Sequence, residues 1–159
     1  MNYYSQHPKY YVSVDCIIFG FNEGELNLLL RKRNFQPAMV EWSIMGGFTQ
    51  ENESVDDAAK RVLHELTGLE HVYMEQVGAF GEIGRDPGER VVSVAYYALI
   101  NINEYDHAQV KKHNAYWVNI NDVPPLIFDH EQMVAKARKI MQQKASTKPI
   151  GFNLLPKYF

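Results

Sequence analysis

The sequence predicts an α+β domain in which a mixed β-sheet carries helices on its faces. Two observations point there. Between residues 11 and 119 the chain is largely a series of short runs rich in β-branched and aromatic residues, separated by Gly, Pro, Asn and Asp clusters. Only two segments have helical periodicity, one mid-chain and one near the end. With 159 residues, 46% hydrophobic and 22% charged, the chain reads as one globular domain with a substantial core.

In order, "YYVSVDCIIFGF" is a strand, "NEGE" a turn and "LNLLLRKR" a second strand, together a hairpin pattern. Cys16 lies in the first apolar run. It is the chain's one cysteine, so no internal disulfide forms, and the reading there is a buried, inert thiol. "NFQPAMVEW" reads as a loop broken at Pro37, leading into a short strand, "WSIMGGF". A helix follows from about Val55 to Thr67. Ser54 with Asp57 three residues on is a capping-box-like start, Asp56 adds charge at the positive end of the dipole, and Gly68 ends the helix. Val55, Ala58, Ala59, Val62, Leu63 and Leu66 form its apolar face, while Arg61 and Glu65 sit four apart on its flank, where they can pair.

Further on, "HVYMEQVGAFGE" is a strand, "IGRDPGE" a turn-rich loop, and "RVVSVAYYALIN" and "NAYWVNIND" are two more strands. After "VPPLIF", the second helix is "HEQMVAKARKIMQQKA", with Asp129 placed to cap it and Met133, Val134, Ala137, Ile140 and Met141 as its stripe. The last stretch, "STKPIGFNLLPKYF", is either a tail packed back on the domain or a linker to a following domain.

A net charge of −3 argues against a nucleic-acid-binding module. The N-terminus lacks the basic and apolar regions of a signal peptide, and no segment is long enough to span a membrane, so the expected location is cytoplasmic.

The spacing of Gly47, Glu53, Arg61, Leu63, Glu65, Gly68 and Leu69 resembles the Nudix box, G-x5-E-x7-R-E-U-x-E-E-x-G-U with U aliphatic. Seven of its nine fixed positions match without an insertion. "EWSIMGGF" resembles the lead-in that precedes that box. The resemblance covers nearly the whole chain and implies an α/β/α sandwich around a mixed sheet. Two box glutamates are replaced, by Val62 and Leu66. In working members these carboxylates hold divalent cations or act as base in attack on a pyrophosphate. Mg²⁺ prefers about six oxygens, and here only Glu53 and Glu65 remain as candidate ligands, with a carboxylate of the "FGEIGRD" loop, Glu82 included, able to compensate in part. The box therefore reads as vestigial, with no catalytic residue, metal or other cofactor expected. Mg²⁺ enters only if the alternative holds, a hydrolase of a nucleoside diphosphate derivative such as ADP-ribose.

"GRDPGERVVSVAYYALI", "VPPLIFDHEQMV" and "GFNLLPKYF" extend the resemblance to the effector domain of Nudix-related transcriptional regulators of the NrtR type. It implies a Nudix-like domain over 1–148 and a linker over 149–159 toward a winged helix-turn-helix absent from this chain. It also implies a homodimer that reaches DNA only through that missing domain, and no membrane partner. The family's effectors include ADP-ribose; a branch in Bacteroides-type bacteria answers to L-arabinose, and this sequence looks closer to that branch.

Candidate ligand contacts come from several places. Arg85, Asp86 and Arg90 in "GRDPGER" suit a phosphate or sugar hydroxyls, unless Asp86-Pro87-Gly88 is only a solvated turn. Asp129 and His130 are either ligand contacts or a helix cap with an exposed histidine. Arg31 and Arg33 share a strand face, so one pair can meet a pocket, and Trp42 either stacks on a ring or packs. Missing metal ligands and overall acidity favour a neutral sugar. A third reading is an interaction module with no small ligand.

Overall fold

The computed structural model describes residues 2–35, 39–104 and 107–145. Seven strands form one mixed sheet: β1 (Tyr11–Asn22), β2 (Glu25–Phe35), β3 (Met39–Ser43), β4 (Met45–Phe48), β5 (Met74–Phe80), β6 (Val91–Asn101) and β7 (Ala115–Asn119). β1 and β2 form the expected hairpin, and β1 runs parallel to β6 from Tyr11↔Val91 to Phe21↔Asn101. The first half of β1 also pairs with β4, while β2 takes β3 along one half and β7 along the other.

β1 lies between two hydrophobic layers, so alternation sends its side chains to opposite cores. Val14, Cys16 and Ile18 join the cluster under helix α1 (Val55–Thr67), whereas Ile17 and Phe19 join the one under α3 (His130–Ala145). Asp15 shares the α3-facing side with Ile17. The result is the expected sandwich of helices around a mixed sheet.

Both ends of α1 follow the local chemistry. The Ser54 hydroxyl accepts the Asp57 N–H at 3.0 Å, and Gly68 closes the helix at φ 76°, a left-handed value that favours glycine. In α3, Met133, Ala137 and Met141 are fully buried.

Three expectations need correction. Asn34 and Phe35 extend β2, and Met39 to Trp42 belong to β3, where a loop was expected, because antiparallel pairing runs from Arg31↔Ser43 to Phe35↔Met39. "WSIMGGF" is split between β3 and β4, since Ile44 turns inward and the chain changes partner from β2 to β1. A short helix that periodicity missed, α2 (His107–Lys112), covers α1 with Val110 as its one buried residue. Pro37 and the 149–159 linker lie outside the described residues.

Candidate functional site

The box helix comes first. Arg61 is its hub. Its Nε and Nη2 donate to the two Glu53 carboxylate oxygens at 3.1 and 2.8 Å, and Nη2 also donates to the Phe48 carbonyl at 2.9 Å. Glu65 stands 3.5 Å from Nη1, the expected pairing across one helical turn. The hydrogen bonds from Arg61 hold the Glu53 carboxyl below its usual range. Val62 and Leu66 are buried, at 3% and 6% exposure, and Val62 packs beneath Gly47. Where the box's carboxylates would converge there is a hollow of about 110 Å³ bordered by Arg31, Arg61, His113 and Glu65 over these aliphatic side chains.

Mg²⁺ does not fit this donor set. Glu53 is taken up by Arg61, two positions are aliphatic, and Glu65 is half-exposed on the flank. Among the described residues no three His, Cys, Asp or Glu gather to hold a metal ion.

Beside the box, at the end of the sheet, opens a cleft of about 320 Å³. Its floor is Asp15 on β1, with Ser93 of β6 donating its hydroxyl to Asp15 Oδ2 and His130 beside it from the first turn of α3. Burial pushes the Asp15 carboxyl up, although His130, Ser93 and Arg85 pull the other way. Burial likewise pushes His130 down, and its Nδ1 accepts the Ile44 N–H at 3.2 Å, so the neutral ring carries its proton on Nε2. That neutrality removes the charge with which His130 could stabilise ionised Asp15. The Coulomb relief therefore comes from Arg85, and the direction for Asp15 stays upward.

Arg31 and Arg33 border the cleft from the same face of β2, as alternation requires, and Phe48 and Phe128 form its exposed apolar walls. Phe128 has φ 52°, unusual for a bulky side chain, and its ring lies edge-on to His130 at 5.7 Å.

The expected contacts divide. Arg33, Arg85, Asp86 and His130 all line the cleft. Arg85 is nearly buried and gripped bidentately by Asp129, both bonds 2.9 Å, so its guanidinium holds the loop to α3. That is also why Asp129 is not a side-chain cap: both carboxylate oxygens go to Arg85. Asp86 accepts the Gly88 N–H at 2.8 Å, the turn its sequence suggested, and still borders the cleft. Arg90 donates to the Gly81 carbonyl at 2.7 Å and stacks on Tyr10, away from the cleft. Glu82 is exposed on that loop, where its carbonyl accepts the Arg85 N–H. Trp42 packs edge-on to Tyr116 with Lys32 above it, outside the cleft.

Asp15 and Ser93 were not among the sequence candidates. A signal existed for Asp15, the one charged residue inside the run "YYVSVDCIIFGF". A carboxylate buried in a two-sided strand is costly unless something meets it.

The family model described as NUDIX domain matches residues 9–143. The chain is a Nudix domain. It is 31% identical, over 98% of its length, to the ADPR responsive transcriptional repressor NtrR of Acinetobacter baylyi, and spans 64% of that protein. It is also 31% identical, over 80% of its length and 72% of the relative's, to an ADP-ribose pyrophosphatase of Methanocaldococcus jannaschii. Among solved structures, the NUDIX domain of Shewanella oneidensis NrtR complexed with ADP ribose aligns with a TM-score of 0.68 and 29% identity. That alignment covers 86% of this chain and 92% of the other. This Nudix domain is thus similar both to regulators of the NrtR type and to ADP-ribose pyrophosphatases.

Proposed function

We propose that this Nudix domain is a non-catalytic effector sensor of an NrtR-type regulator, and that its effector is a pentose, L-arabinose by preference. One observation carries the reading: the cleft is balanced in charge. Asp129 neutralises Arg85, leaving Arg31 and Arg33 against Asp15 and Asp86. Paired cationic donors and anionic acceptors over aromatic walls suit hydroxyls rather than a diphosphate. At about 320 Å³ the cleft also lies near the low end of the ~300–1,000 Å³ range of ligand pockets. Binding shifts the placement of DNA-binding domains, carried by sequence following this domain, within a homodimer, through differential affinity for two arrangements.

The second reading is an Mg²⁺-dependent hydrolase of ADP-ribose-like pyrophosphates. It is favoured by the intact spacing of Gly47, Glu53, Arg61, Glu65 and Gly68 and by the likeness to a pyrophosphatase.

Calorimetric titration of L-arabinose and ADP-ribose into the purified protein, with a turnover assay in Mg²⁺ and Mn²⁺, separates them. Saturable heat with L-arabinose and negligible turnover is the expected result. Tight ADP-ribose binding without a response to L-arabinose overturns the pentose. EDTA-sensitive turnover that disappears in Glu65→Gln promotes the hydrolase. Binding of neither ligand leaves an interaction module.

A further inference from the structure

Two polar atoms on the cleft floor face each other without bonding. Nε2 of His130 lies 3.7 Å from Oδ1 of Asp15, beyond hydrogen-bond reach. The ring cannot turn the mismatch away, because Nδ1 already accepts the Ile44 N–H and leaves the proton on Nε2. On the carboxylate, Ser93 serves Oδ2, and the nearest Arg85 nitrogen stands 3.9 Å from that same oxygen. Oδ1 accepts no hydrogen bond among the described residues. Both residues are more than nine-tenths buried, at 7% and 5% exposure, and both line the cleft. An acceptor and a donor thus stand side by side on the cleft floor without bonding each other, both open to whatever fills the cleft.

The surroundings hold this gap open. A Cβ on Gly46 would collide with Asp15 Oδ1 and come within 2.9 Å of the Val14 carbonyl, so glycine alone leaves that oxygen room. Arg85, bonded to Asp129 immediately before His130, fixes the first turn of α3 against the loop.

We propose that one hydroxyl group of the effector bridges the pair, donating to Asp15 Oδ1 and accepting from His130 Nε2–H. A hydroxyl does both through one oxygen. An ammonium accepts nothing, and a phosphate or carboxylate donates nothing and is repelled by Asp15. The ligand class is therefore an alcohol, a sugar or polyol hydroxyl, and Asp15 and His130 are its specificity-determining residues. The inference rests on the sugar-sensing reading and adds the atoms that recognise the ring.

The test is calorimetry of L-arabinose, its monodeoxy analogues and ADP-ribose against wild type and Asp15→Asn, with melting temperatures of the free proteins. Asp15→Asn is expected to weaken L-arabinose about ten- to a hundredfold, the size of a hydrogen bond to a charged group, while the free variant melts no lower. One deoxy analogue should bind wild type as weakly, with no further loss in the variant, because both changes remove the same bond. Wild type supplies a second measurement: the His130 Nε2–H resonance moves with L-arabinose and not with that analogue. Undiminished affinity in Asp15→Asn, for L-arabinose or for ADP-ribose, or a still resonance, overturns the bridge and leaves the sensing reading standing. Heat from neither ligand in wild type overturns both.

Discussion

At Gly46 the backbone of β4 passes so close to Asp15 that no side chain fits between them. The backbone pairs Gly46 directly with Asp15, so neither strand can step aside without breaking the β1–β4 register. Gly46→Ala is therefore expected to destabilise the fold by about 1–3 kcal/mol, the range for overpacking a filled core. Its effector affinity should fall further than Gly47→Ala, whose new methyl meets only a Val62 methyl at 3.2 Å. Thermal melts and titration of both variants check this, and equal effects would show that the Asp15 contact carries no special constraint. At this scale the sequence marked the glycine pair as part of the box lead-in. It did not indicate which glycine meets a carboxylate, because that depends on which strand lies opposite.

The helix α1 raises the question of whether a metal face could be restored. Val62 and Leu66 both lie in its apolar stripe and both border the hollow that receives Arg31, Arg61 and His113, with Val62 beneath Gly47. A glutamate at either position replaces a buried aliphatic side chain and meets cations only on the hollow side, and a buried polar group left incompletely partnered costs about 1–3 kcal/mol. Val62→Glu and Leu66→Glu should each lower the melting temperature, and the double variant should not gain Mg²⁺-dependent turnover. If Val62→Glu melts like wild type, the extended apolar face is not the reason the box lost its carboxylates. The helix itself was legible down to its caps, since Ser54, Asp57 and Gly68 act within a few residues of each other. The Arg61–Glu53 pair was less so, because it joins the helix to the preceding loop and outcompetes the i,i+4 pairing with Glu65 in geometry.

Across the molecule, α3 is tied to the sheet at both ends. At its start are Arg85–Asp129 and His130–Ile44; at its end Lys144 pairs with Glu75 on β5, which also accepts the Tyr97 and Tyr73 hydroxyls. Burial pushes the Glu75 carboxyl up, but Lys144 and the two hydroxyls outweigh it and hold it below its usual 4.5. A carboxyl depressed by folding stabilises above the unfolded value, and that stability is lost as pH falls through the folded value. Glu75→Gln is thus expected to lower stability near neutral pH and to flatten the acid limb below 4.5, measured as melting temperature against pH. An unchanged acid limb would remove this tie from the account. Asp15 acts in the opposite sense: burial raises it above 3.8, so its ionisation opposes folding as pH rises through the folded value. On that sign Asp15→Asn is expected to melt no lower than wild type.

The sequence by itself determined the layered α+β fold, the hairpin, both long helices, the caps of α1, and the burial of Val62 and Leu66. Each of these follows from periodicity or from neighbours a few residues apart, and the box spacing adds a register that local physics keeps. Only the tertiary structure decided the site. Asp15, Arg85, Ser93 and Asp129 lie far apart in the chain, and their meeting depends on the parallel β1–β6 pairing and on α3 docking across the sheet. Whether an arginine is a clamp or an internal tie depends on which carboxylate folding brings within 3 Å, and for Arg85 that was Asp129. The facing oxygen and N–H on the cleft floor come together only once those distant residues are assembled.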